Sequence, residues 1–244
     1  KKSAISIAGS MQAMESTEKS LLLGTPGDYR PMAYHEPFTD SYRGFDIELA
    51  WRIAAELGYE VVFKEISWDM LAHEAKTDAF DMAIGGISRT PQRKEERILS
   101  DSYLEAGQAN PCGVADAARC GSLTDVEWPG VRVLYNPGGT NEDFVKTHLH
   151  HADCRVFARN AAIPDCIAAG KADVMITETV EAAFYTRQVP ALAAPLLAHP
   201  FTREAFCIVM SRKRADMVRV VNLVLADFRA SGILQGMAKR YFDY

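Results

Sequence analysis

Gly130-Val-Arg-Val-Leu-Tyr-Asn-Pro-Gly-Gly-Thr-Asn-Glu-Asp-Phe-Val-Lys-Thr-His-Leu149 sets three signals in a row. Gly130–Tyr135 is a β-rich run, Asn136–Gly139 a tight loop, and Asn141–Leu149 a helical segment with Thr140 at its cap. Strand, glycine turn and helix in that order make the repeating unit of a sheet with parallel strands. Free N–H groups at such a helix start are receptive to anions. A plain capping box, Thr140 with Asp143 three residues on, accounts for the same residues.

The rhythm extends both ways. Downstream, Arg155–Phe157 reads as a strand, Ile163–Ala169 as a helix and Ala172–Ile176 as a strand, with Thr177 opening a helix to about Arg187. Phe206–Met210 follows as a strand, and Met217–Tyr241 as one or two amphipathic helices. Upstream, Leu21–Gly24 reads as a buried strand, and a helix after Gly44-Phe-Asp46 presents Ile47, Ala50, Ala54 and Leu57 on one face until Gly58. Glu60–Lys64 is the next strand, Ser67 caps a helix from about Trp68 to Lys76, and Phe80–Ile84 ends at Gly85-Gly86. Thr90-Pro91 starts a further helix. Two α/β units in tandem fit this order better than one large sheet. The expected division is a leader or linker over 1–20, one lobe from 21–106 plus 200–244, and a second from 107–199. Gly107–Ala109 and Ala198–Thr202 are the expected crossings, and the ligand position is the cleft where strand ends face each other.

Composition narrows the classes. The 244 residues carry 27 Lys+Arg against 32 Asp+Glu, a net charge of −5 that gives nucleic acid no basic footprint. No stretch approaches the ~20 apolar residues of a membrane span. Lys1–Ser20 has too short an apolar run for a signal core, so an exported protein would already have lost its signal. The cysteines, Cys112, Cys120, Cys154, Cys166 and Cys207, form no CxxC or zinc-type cluster. Buried free thiols are one reading; a Cys112–Cys120 or Cys154–Cys166 disulfide is another in an oxidising compartment. His148, His150 and His151 suit a solvated helix end better than a metal, and no metal site is expected. GxGxxG, P-loop, GxSxG and HExxH patterns are absent from the sequence.

Four features sit where strands end. The Asn136–Glu142 loop is the first. Gly85-Gly86-Ile-Ser88 with Arg93 is the second: small residues admit a ligand to the backbone, and a guanidinium fork matches a carboxylate. Taken alone, Arg93 is better explained as a surface arginine in the charged run Arg93–Arg97. The third is Glu178 and Glu181, three apart on one side of a helix, where enclosure would keep one carboxyl protonated as a general acid. Two first-turn acids complementing the helix dipole are the alternative. Gly27-Asp28-Tyr29 with Ser67-Trp68 is the fourth, offering an acceptor and aromatic walls, or a turn aspartate and a core tryptophan.

In this order, Gly27-Asp-Tyr-Arg-Pro31, Gly44-Phe-Asp46, Ser67-Trp68, Gly86-Ile-Ser88, Asn136-Pro-Gly-Gly-Thr-Asn-Glu142 and Thr177–Glu181 resemble the periplasmic cyclohexadienyl dehydratases, from about Leu21 to Tyr241. The resemblance implies a periplasmic-binding-protein-like type II α/β fold: two lobes joined by two hinge strands around a cleft. It implies conversion of prephenate to phenylpyruvate, or arogenate to phenylalanine, without metal or redox cofactor. Glu181 matches the general acid, and Arg93 the group that holds a carboxylate. Ser88, Thr140 and Asn141 match hydrogen-bonding positions, Trp68 packs near the ring, and Asp28 and Asn136 line the pocket. Gln108 stands where the family pattern has a lysine, and Glu178 where it has an aspartate. The resemblance also implies a small-molecule carboxylate partner and a periplasmic location; a homo-oligomer is allowed. The alternative is a non-catalytic amino-acid or carboxylate receptor of a transporter or sensor, with Arg93 on the α-carboxylate and Glu178 or Asp28 on the ammonium. A sensory domain cut from a larger receptor is a third class.

Overall fold

In the computed structural model, which describes residues 19–242, two five-stranded sheets are built alike. The first runs 59–65, 19–25, 82–83, 209–210, 98–99; the second runs 153–156, 132–135, 174–175, 112–113, 192–193. In each, the first three strands are parallel and the fourth runs antiparallel to both of its neighbours. Register places Leu23 between Phe63 and Met82 in one, and Val133 between Cys154 and Val174 in the other. These are the apolar, β-branched runs of the sequence, buried because helices cover them.

The helix Phe45–Leu57 covers the first sheet, burying Phe45, Ile47, Leu49, Ala50, Ile53 and Ala54. The C-terminal amphipathic segment is two helices, Met217–Ala230 and Ile233–Phe242, which return to that core with Val221, Leu225, Phe228, Met237 and Phe242. Glu48 fastens them, accepting from Arg240 at 2.5 Å and from the Tyr241 hydroxyl at 3.1 Å. Each fully buried side chain of this kind contributes roughly 1.5–3 kcal/mol. The second lobe has its own cluster around Val133, Phe144, Val145, Val174 and Ile176.

Two short ladders flank the crossings between the lobes, one on each side. Leu104–Ala106 pairs antiparallel with Glu204–Phe206, and Gln108–Ala109 pairs antiparallel with Thr177–Glu178. Between them a Cβ on Gly107 would stand 2.0 Å from the Thr202 carbonyl oxygen, so only glycine lets the crossing chains touch. The Phe201 N–H donates to the Gln108 carbonyl (2.8 Å) and the Thr179 N–H to the Gly107 carbonyl (2.8 Å). No helix among the described residues is long and apolar enough to cross a membrane.

Three local expectations are corrected. The segment after Ser67 is helical only over Leu71–Lys76; residues 68–70 form a turn that swings Trp68 against Tyr29, ring centroids 5.9 Å apart and edge-on. Thr140 does not cap its helix. The helix is Thr140–His148 with Gly139 at the cap, Glu142 reaches back to accept from the Gly138 N–H at 2.7 Å, and the Thr140 hydroxyl is engaged across the site. Thr177 does not open a helix either: Thr177–Glu178 is extended in the ladder beside the hinge, and the helix is Thr179–Gln188. Strand β-pairing begins at Lys19, two residues inside the expected leader, whose remaining residues lie outside the described ones.

Candidate functional site

Where the lobes meet, Tyr29, Trp68, Gly86 and Arg93 from the first face Asn136, Gly139, Thr140, Asn141 and Glu178 from the second, around a nearly closed cavity of about 10 Å³, the room one water needs. The walls are strand-end loops, as the α/β order requires. Arg93 lies on the short helix Pro91–Glu96, whose start is fixed by Thr90 accepting from the Arg93 N–H at 3.2 Å. Its Nη1 donates to the Ser88 carbonyl at 2.8 Å, which aims the rest of the fork at the cavity. No ion pair occupies Arg93 among the described residues. Burial holds its pKa below the usual arginine range, opposed by Cys207 and Glu178.

Opposite it, Glu178 is a buried carboxylate with three donors. The Tyr29 hydroxyl donates to Oε2 at 2.8 Å, the Thr140 hydroxyl to Oε1 at 3.1 Å and Asn141 Nδ2 to Oε2 at 3.4 Å. Asn141 Nδ2 also donates to Asn136 Oδ1 at 3.0 Å. Burial raises the Glu178 pKa and the three donors pull it back. The Tyr29 bond crosses between lobes and pushes its phenol, already raised by burial, further up.

Glu181, one helical turn on, is fully buried and stands behind this wall. Asn160 Nδ2 donates to Oε1 at 2.7 Å, and the Thr177 hydroxyl bonds Oε2. Burial raises its pKa well above the carboxylate range, beyond what those two bonds recover, and Glu178 and Asp28 add to the rise. That direction favours the protonated form. Asp28 is raised by burial, with the Trp68 indole opposing.

Of the residues expected from the sequence, Trp68, Arg93, Asn136, Thr140, Asn141 and Glu178 meet on the cavity. Asp28, Ser88, Gln108 and Glu181 do not form its walls. Ser88 serves through its carbonyl. Gln108 turns to the hinge, where its Oε1 accepts from Thr202 and its N–H donates to the same hydroxyl at 2.9 Å. The sequence reading took Tyr29 as a wall but missed its hydroxyl. It also missed Asn160, which no pattern flags, and the work of Asp46, which the Gly-Phe-Asp signature does flag. Asp46, fully buried, accepts from the Gly86 N–H and the Tyr103 hydroxyl, both at 2.6 Å, and so fixes the glycine wall.

The chain belongs to the bacterial extracellular solute-binding proteins, family 3, whose model matches residues 21–244. More particularly, it is 33% identical to the cyclohexadienyl dehydratase of Pseudomonas aeruginosa over 99% of this chain and 91% of that protein. It is 26% identical to the arginine-binding extracellular protein ArtP of Bacillus subtilis, over 93% of this chain and 88% of that one. Among solved structures, the ancestral amino-acid-binding protein AncCDT-1, a precursor of cyclohexadienyl dehydratase, aligns with a TM-score of 0.84 at 30% identity, covering 91% of this chain and 95% of its own. An ancestral cyclohexadienyl dehydratase aligns at 37% identity with a TM-score of 0.55, covering 92% and 93%.

Proposed function

We propose that this protein is a cyclohexadienyl dehydratase of the periplasm, with lobes 21–106 plus 200–244 and 107–199 closing on its substrate. The observation that carries the reading is the placing of two acids in unlike surroundings on one helix start: Glu178 at the cavity among three donors, and Glu181 fully enclosed behind it with its pKa held well above the carboxylate range. A receptor needs only the first. Similarity to the Pseudomonas enzyme over nearly the full chain supports it.

In this reading Arg93 grips a carboxylate of prephenate or arogenate, with Thr140 and Asn141 hydrogen-bonding beside it and Trp68 along the ring. Glu181 exchanges its Thr177 bond for the ring hydroxyl and protonates it. As that C–O bond breaks, the ring carboxylate leaves as carbon dioxide, and its bonding electrons complete the aromatic ring. Water departs, and Glu181 regains its proton from solvent, so each turnover of prephenate consumes one proton. The enclosed cleft keeps the acid neutral until the hydroxyl arrives.

Incubating the purified chain with prephenate and following phenylpyruvate absorbance tests this. Turnover that disappears in Glu181→Gln with the fold intact is the expected result; undiminished turnover in that variant removes the assignment. A second reading, an amino-acid receptor, is favoured by Arg93 and Glu178 facing each other as partners for an α-carboxylate and an ammonium. Calorimetry against an amino-acid panel, showing stoichiometric binding and no turnover of prephenate or arogenate, would select it.

A further inference from the structure

Cys112 and Cys120 take no part in the cavity between the lobes, yet the fold brings them together. Cys112 lies in the second sheet, in register with Val174 and Ala193. The chain then makes the 3₁₀ segment Val114–Arg119 and ends it at Cys120. That turn folds the second cysteine back onto the first. Both are buried in one apolar cluster with Val126 and Val133, with their thiols close enough to shift each other's pKa. Asn110 Nδ2 donates to the Cys120 carbonyl at 2.7 Å and pins the returning chain.

The surroundings distinguish the two sulfurs. Cys120 forms part of the wall of an open surface pocket with Asp116, Arg119, Trp128 and Arg132. The hydrogen bond from Cys112 lowers its pKa, and the Arg119 guanidinium works in the same direction. The same bond, with burial, pushes Cys112 up. Cys120 is therefore the sulfur that faces the pocket and is the readier of the two to give thiolate; Cys112 waits behind it.

We propose that Cys112 and Cys120 form a disulfide in the exported protein, installed by exchange through the pocket beside Cys120. The family is extracellular, where such bonds persist. The co-reactant is a protein disulfide of the dithiol-oxidase class. The Cys120 thiolate attacks one of its sulfurs, the oxidant's S–S bond breaks, and a mixed disulfide forms. Cys112 gives its proton to solvent and attacks Cys120 Sγ; the Cys112–Cys120 bond forms and the oxidant's first sulfur leaves as thiolate. This chain loses two electrons and two protons, and the oxidant disulfide becomes a dithiol.

Thiol titration in denaturant, on full-length protein exported to an oxidising compartment, tests this. Three of the five cysteines should react, and the intact mass should be two hydrogens lighter than after reduction. Trypsin cuts after Arg119, so the non-reduced digest should contain Ile98–Arg119 linked to Cys120–Arg132. Dithiothreitol should lower the Tm by about 5 °C or more, and the Cys112→Ala/Cys120→Ala variant should show no such response. Five reactive thiols, or a link joining any other pair, overturns the proposal.

Discussion

Glu178 and Glu181 share a helix start and differ only in what surrounds them. Burial raises both; three donors pull the first back, while for the second enclosure outweighs its two donors and holds it well above the carboxylate range. Glu181→Gln preserves volume and the bond from Asn160, and leaves an N–H for the Thr177 oxygen to accept, but cannot give up a proton. It should lower kcat by about 10²–10⁴ while the Tm stays level or rises. Wild-type kcat should hold through neutral pH and fall on the alkaline side, as the acid begins to lose its proton in solution. Arg93→Lys retains the charge but not the fork, and should raise KM about tenfold or more. Asp46 offers a stability readout. Burial raises its pKa to about 7, from 3.8, despite bonds from Tyr103 and the Gly86 and Gly85 backbone. A raised acid contributes stability that is present below the unfolded pKa and lost as pH climbs through the folded one. Denaturant titrations of wild type should therefore weaken between pH 4 and pH 7 relative to Asp46→Asn, by up to about 4 kcal/mol. The residue types at this site were readable because carboxylate, guanidinium and amide chemistry needs them. The partner of each was not: a hydroxyl such as Tyr29's looks the same in a sequence whether it meets solvent or Glu178.

Elements were legible where periodicity decides and illegible where the tertiary neighbour does. The helix Phe45–Leu57 and its stop at Gly58 follow from spacing alone. Thr140 and Thr177 carry cap chemistry, but Glu178 and the hinge ladder claim them, and no local pattern records that. Ser67 looked like a cap for the same reason, although Trp68 has to leave the helix to reach Tyr29. The Asn136–Gly139 loop adds a constraint of its own. A Cβ on Gly138, at φ +82, would sit 2.6 Å from the Asp69 backbone nitrogen of the opposite lobe. Gly138→Ala should thus weaken substrate affinity about tenfold or more by propping the cleft, read by calorimetry or KM. Gly170→Ala has a similar φ of +68 but meets nothing within 4 Å, so it should cost stability and leave affinity alone. The left-handed strain common to both is about 1–2 kcal/mol.

At the level of the molecule, the sequence order of strands and helices carries the two-lobed architecture. The paired sheets confirm it in detail, down to the matching strand directions. What the order leaves out is how the lobes grip each other, because that depends on a few side chains far apart in the chain. Tyr29 to Glu178 is one such grip, spanning 149 positions. Arg187 is another. It closes the far end of the helix that begins beside Glu178, and it donates to the carbonyl of Phe242 in the C-terminal helix. That helix is in turn clamped to Glu48 by Arg240 and Tyr241. The tail of the chain is therefore a tether on the acid-bearing element, so shortening it should be felt at the reaction centre. A chain ending at Lys239 should turn over more slowly than one carrying an equal deletion of the residues before Lys19, and a bulky fusion partner belongs on the amino end.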